Sequence, residues 1–399
     1  MQRWLLLFVL LAAVGAAVPA YSQSLHDAVE GAWNRQPTAK ATGAREDEFA
    51  AKRDAAAALF PEPPSVNLGY RTDQANQNAG VRELEGVVSF PMWAPATRGA
   101  AQALAKAESE QFGSTLRFQR WRVAGEVREA YWQARLAATE QELAQRKVSE
   151  AVALAADVER RLKAGDLARV DLNQARAAEQ LARAVLADTS ARAYRAAQTF
   201  YVLTGMKLLP AVAEPVSTAP RDLETHPQLD AGGRAAATAR AKLGQTTTAT
   251  RDPPEIEVGM RRERSAFGES YANSIIVGIK VPFGTDARNQ PRITAANSEL
   301  IEAQATLTLD RQKLVADISA AEVDLEQARE IEQLAAERFR LAADTQALYA
   351  KAFALGEVDL PYRLRAENER FDAELALTRA RIEVGRAISR LNQALGVFP

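Results

Sequence analysis

The sequence predicts a mainly α-helical chain with a smaller β part, built by writing one structural unit twice. Three observations carry this reading. The two halves repeat the same punctuation at an offset of about 190 residues. Each half holds two short segments of period-two alternation flanked by prolines. Each half then enters a long stretch of helix formers that is broken by a glycine before a last helical run.

Residues 1–22 read as a signal peptide. Arg3 is the positive start, 4–18 the apolar run, and Ala20-Tyr21-Ser22 a small-x-small cleavage site. Beyond it no apolar run is long enough for a membrane-spanning helix, so any membrane crossing is made by strands. The first repeat is taken as 23–210, a linker as 211–225, and the second repeat as 226–399.

The repeat is legible residue by residue. Arg35-Gln36-Pro37 matches Thr225-His226-Pro227, and Lys52 matches Lys242. Pro63-Pro64 followed by Val66, Leu68 and Tyr70 matches Pro253-Pro254 followed by Ile256, Val258 and Met260. Val87-Val88-Ser89-Phe90-Pro91 matches Gly278-Ile279-Lys280-Val281-Pro282. Gly165 and Ala175 match Gly356 and Ala366, and Leu203-Thr204-Gly205 matches Ala394-Leu395-Gly396.

Each unit is expected to open with one helix, from near Leu25 or Pro227, ending before the next prolines. Two hairpins follow. In the first, Val66, Leu68, Tyr70 and Leu84, Gly86, Val88, Phe90 share an apolar face. In the second, Ile256, Val258, Met260 and Ile275, Val277, Ile279, Val281 do so. Helices are expected over 97–162 and 293–355, each reaching roughly 90–100 Å. Gly165 and Gly356 are placed where each chain turns back.

Composition narrows function. There is no cysteine, there are two histidines, and the formal charge is −1. These exclude disulfides and Cys–metal sites, leave little for a His-based centre, and argue against nucleic-acid binding. No phosphate-binding loop, dinucleotide turn or nucleophile elbow is present, so no enzyme, cofactor or metal site is expected. The 47% of apolar residues fall largely on alanine and leucine. Four strands cannot close a barrel alone, and open edges are forbidden in lipid, so strand count calls for other protomers.

With these features in place, the chain resembles the TolC family of outer-membrane efflux factors along its whole mature length. The resemblance rests on the duplicated plan, the Pro-flanked strand pairs, Pro37, and the pattern Gly165–Ala175 and Gly356–Ala366. It implies a homotrimer in which each protomer gives four strands to a twelve-stranded barrel in outer-membrane lipid, with the helices forming an α-barrel in the periplasm. It implies passive export from an inner-membrane pump of the proton-driven RND type through a periplasmic adaptor. Compact size and short strand connections look similar to the heavy-metal efflux (CzcC-like) branch. The tips, with Gly165, Asp166, Asp171, Gly356, Glu357 and Asp359, are then the adaptor contact.

One departure is visible. Well-known members carry acids six and nine residues after the second tip glycine, where this chain has Tyr362 and Arg365. The candidate aperture gate is therefore Tyr362, Arg363, Arg365 and Glu367, with Asp359 as a further charge, either through ion pairs that break on opening or as solvated helix-surface charges without a gating role. Tyr70, Phe90, Trp93, Tyr271 and Phe283 are read as an interfacial aromatic girdle. Glu83, Glu85, Glu255 and Glu257 are either lumen-facing groups or loop charges. The rival reading is a periplasmic coiled-coil adaptor whose strands would form a compact domain without a barrel.

Overall fold

The computed structural model describes residues 24–218 and 222–399. The signal-peptide reading falls on residues 1–22, outside the described residues.

The chain begins with α1 (Leu25–Arg35). Ser24 caps it: the Ser24 hydroxyl accepts from Asp27 N–H at 3.1 Å, and the Asp27 carboxylate accepts from Ser24 N–H at 2.8 Å. Leu25, Ala28, Val29 and Ala32 form the buried stripe. A second helix, α2 (Pro37–Ala57), starts at once. The single opening helix expected from the sequence is thus two helices in the first repeat. Pro37 cannot extend α1 and holds Gln36 extended, but its fixed φ suits the first position of α2.

Strands β1 (Ser65–Thr72) and β2 (Arg82–Pro91) lead into α3 (Thr97–Ala164) and α4 (Arg169–Thr204). The second repeat gives α5 (Pro227–Thr248), β3 (Glu255–Arg264), β4 (Ala272–Lys280), α6 (Asp286–Leu355) and α7 (Leu360–Ala394). At 1.5 Å per residue, the 68 residues of α3 and 70 of α6 each span about 100 Å. Helix α6 begins earlier than the expected 293 and contains Pro291. Arg288 pairs with Asp252 at 3.1 Å and Asn289 donates to Thr250 O at 2.6 Å, anchoring the turn ahead of the proline.

Both hairpins join one sheet in the order β1-β2-β3-β4, antiparallel throughout. The four strands expected of one protomer thus form a single sheet, in which β2 of the first repeat pairs with β3 of the second. Helix α3 is the spine. In the half near the sheet it is flanked by α2 and α5, with α6 beyond α5; in the far half it is flanked by α4 and α7, with α6 beyond α7.

The main core lies where α1, α3 and α4 meet, around Val29, Val127, Tyr131 and Phe200. The crossing after α4 is pinned to it. Buried Arg128 of α3 donates from Nε and Nη2 to the Glu214 carboxylate, both at 2.8 Å, and from Nη2 to Val397 O at 2.9 Å. Asn392 receives Ser217 N–H and donates to Pro215 O, both at 2.9 Å. The Trp132 indole donates to Ser389 at 2.7 Å and covers Gly385, where a Cβ would lie 2.2 Å from the ring. His226 is buried and structural: its Nδ1 accepts from Gln228 N–H at the start of α5, and burial pushes its pKa down. His26 meets Pro399 O at 2.9 Å.

Candidate functional site

The sheet has two unlike faces. Register places Val66, Val88, Val258 and Val277 in one row, and Leu68, Gly86, Met260 and Ile275 in the next. Phe90, Ile256 and Ile279 make a third. This face is apolar and open: Leu68 is 80% exposed, Ile275 76% and Val277 73%. A sheet in water buries such a face. The opposite face carries Arg71, Glu83, Glu85, Glu257, Arg261 and Glu263. Arg261 bridges Glu83 at 3.0 Å and Glu85 at 2.8 Å, and Lys280 pairs with Glu255 at 2.8 Å. The four glutamates Glu83, Glu85, Glu255 and Glu257 therefore sit in strands, on the polar face, and not in loops.

The aromatic residues fall at the two ends of the sheet. Tyr70 and Tyr271 lie at the loop end. Phe90, Trp93 and Phe283 lie at the helix end, where Phe90 meets Phe60 at 5.8 Å and the Trp93 indole donates to Ala58 O at 3.0 Å. Six residues separate the Leu84 row from the Phe90 row, about 20 Å along the strand.

Neither a family model nor a curated protein matches the chain. Solved structures do. CusC, which forms a transmembrane channel, superposes with a TM-score of 0.78 at 16% identity, covering 94% of this chain and 93% of that one. The CmeC outer membrane channel of Campylobacter jejuni gives 0.74 at 14%, covering 93% and 85%. The open state of the MtrE outer membrane channel of Neisseria gonorrhoeae gives 0.73 at 16%, covering 94% and 89%. The chain has the fold of these channels.

In this fold the far end of the helices is a double turn. Gly165 and Gly356 both take positive φ, +89° and +77°. Asp166 N–H bonds Arg161 O and Glu357 N–H bonds Ala352 O, both at 2.9 Å, so each helix ends in the same six-to-one closure. Gly165, Asp166, Gly356, Glu357 and Asp359 are exposed. The Asp171 carboxylate is already engaged, accepting from Ala168 N–H at 3.0 Å at the start of α4.

Of the residues assigned to an aperture, the structure brings some together. Arg363 and Glu367 pair at 3.1 Å within α7. Arg363 and Arg161 both lie against the Phe353 ring, at 5.1 and 5.2 Å. Tyr362 stacks on Tyr349 of α6, centroids 6.3 Å apart. Arg365 is exposed and has no carboxylate partner among the described residues. Within one protomer the Arg363–Glu367 pair joins α7 only to itself. Bonds that tie the helices together here include Arg370 to Glu150 at 2.5 Å and Arg146 to Glu374 at 2.7 Å.

Burial raises the pKa of Glu367, and Arg363 opposes the rise. A carboxyl that holds its proton more tightly when folded favours folding below its raised pKa and loses that contribution as pH climbs through it. Glu367→Gln is therefore expected to melt progressively higher than the parent chain as pH rises through and above the ordinary carboxylate range. Thermal melts across that range check it; a difference independent of pH sinks the idea.

Two features lay beyond sequence reading. The alternation that aligns Ile256, Val258 and Met260 continues into Arg262 and Arg264 on the same face. Phe267, in the β3–β4 loop, lies beneath Arg264 at 5.5 Å.

Proposed function

We propose that the chain is one protomer of an outer-membrane exit duct, a homotrimer whose sheets close a barrel and whose helices extend into the periplasm. The observation that carries this is an imbalance between the repeats. The first repeat makes its cross-repeat contacts inside the chain: β2 with β3, α3 with α5, and α3 with α7. Duplication calls for the same contacts onward from the second repeat: β4 with a β1, α6 with an α2, and α6 with an α4. Within one chain the outer edges of β1 and β4 are unpaired among the described strands. The outer side of α6 carries Leu334, Leu341, Leu348 and Leu355, exposed at heptad spacing. A following copy satisfies all three, and repeating that step closes a ring.

The exposed apolar sheet face then meets lipid and the Glu–Arg face lines the lumen. The tips around Gly165 and Gly356 receive a periplasmic adaptor that leads to an inner-membrane pump of the RND type. Tyr362, Arg363, Arg365 and Glu367 line the mouth, with Arg365 free to meet a carboxylate of a neighbouring copy. The duct is passive. A passive duct handles what the pump delivers, so the cargo, metal ion or organic solute, is chosen by the pump.

The test is fractionation of expressing cells, gels of boiled and unboiled membranes, and conductance in planar bilayers. A heat-modifiable trimer in outer membranes that conducts is the expected result. A soluble periplasmic monomer without conductance would overturn the reading and favour a coiled-coil adaptor.

A further inference from the structure

The lipid-facing side of the sheet does not stay apolar to its end. Its outermost rows, away from the helices, hold Arg82, Arg262 and Arg264 beside Tyr70 and Tyr271. The alternation fixes this: Arg262 follows Met260 by two residues and Arg264 by four, so all three share a face.

The cations there are unevenly neutralised. Arg82 pairs with Asp73 at 3.2 Å. Arg262 and Arg264 have no carboxylate partner among the described residues. Glu83 is taken by Arg261 on the other face, and Glu269 by Ser265 N–H at 3.3 Å. The two guanidiniums are held in place by other means. Arg262 lies 4.6 Å from the centroid of the Tyr271 ring. Arg264 lies 5.2 Å from Tyr271 and 5.5 Å from Phe267, and its Nε donates to Gly80 O at 3.1 Å. The loops beneath are locked too: Phe267 N–H bonds Ala79 O at 3.0 Å, and Gly80 at φ +102° has no room for a side chain against Phe267. A cleft of about 330 Å³ opens between Tyr70, Arg82, Glu83, Leu84, Arg262 and Tyr271, with Glu83 drawn to Arg261.

A cation on a lipid-facing strand costs little near the interface and several kcal/mol at the midplane. Two cations with free N–H groups, stiffened by aromatic rings and bordered by an acyl-compatible face, match an anion that carries hydrocarbon. Guanidinium forks fit phosphate oxygens in pairs. We propose that Arg262 and Arg264, backed by Tyr271, bind the phosphate of a lipid headgroup in the leaflet distal to the helices, with Leu84, Met260 and Ile275 against its acyl chains. This rests on the reading that the sheet spans the membrane.

The test uses the full-length trimer in detergent, titrated with bisphosphorylated lipid A, with its dephosphorylated form, and with inorganic phosphate, bound species being counted by native mass spectrometry. The parent protein is expected to retain bisphosphorylated lipid A. Arg262→Ala/Arg264→Ala is expected to bind it about tenfold or more weakly, as losing two charge-assisted contacts requires. Arg71→Ala, on the polar face, is expected to leave binding unchanged. Should the double variant fail to assemble, Arg262→Gln, at an exposed side chain, is read in its place. Equal affinity in parent and variant would overturn the proposal, as would equally tight binding of dephosphorylated lipid A. Inorganic phosphate competing at equal concentration would assign the site to the free anion instead and overturn the lipid. Failure of the underlying reading is separate: the parent protein would then not sediment with outer membranes.

Discussion

Arg128→Ala is expected to destabilise the protomer by about 3–5 kcal/mol, the range for removing one partner of a buried ion pair. Arg128 is 3% exposed and Glu214 8%. The arginine holds the crossing between repeats through Glu214 and the chain end through Val397 O and the Gln393 side chain. Alanine leaves a buried carboxylate and a carbonyl without donors, and both must then find water. The double change Arg128→Met/Glu214→Leu is expected to recover most of the loss, because it removes both charges at similar volume. Denaturant unfolding of the detergent-held protein measures both. Arg340→Ala breaks an exposed pair with Glu337 at 2.7 Å and is expected to cost under about 1 kcal/mol. A loss at Arg128 no larger than at Arg340 would mean the crossing is held by its backbone rather than by this bridge.

How much of this was legible in the sequence follows from which forces are local. Proline and glycine act through their own backbone, so the helix ends at Gly165 and Gly356 and the strand edges near Pro91 and Pro282 could be read directly. Alternation is also local, and it assigned the faces of all four strands correctly. Pairing of β2 with β3 is not local: it joins residues far apart in the chain, and nothing in either segment names its partner. Pro291 misled for a related reason. It discourages helix by itself, but Arg288 and Asn289 tie the preceding turn to Asp252 and Thr250, and tertiary contacts override the local preference. The acid at Asp171 read as a tip charge; its use as a helix-start acceptor depends on the Ala168 backbone geometry. Tyr70, Phe90, Trp93, Tyr271 and Phe283 were recognisable as strand-end aromatics, whereas the arginines among them were not, since charge normally ends an apolar strand.

Val277→Arg is expected to separate a membrane sheet from a water-exposed one more sharply than any other single change. Val277 is already 73% exposed and sits in mid-strand, in the row Val66–Val88–Val258–Val277. In water an exposed valine to arginine is within about 0.5 kcal/mol of neutral. In lipid, arginine near the midplane costs about 2–4 kcal/mol for each protomer, and a closed trimer carries three copies. The expected result is loss of the heat-modifiable trimer from outer membranes. Ser274→Arg provides the contrast: it lies on the polar face opposite Arg261, near the loop end, where a charge meets the lumen. It is expected to assemble normally and to alter conductance. If Val277→Arg instead assembled as well as Ser274→Arg, the exposed row would have to be covered by something other than lipid. The ring argued from the unpaired β1 and β4 edges would then close outside a membrane.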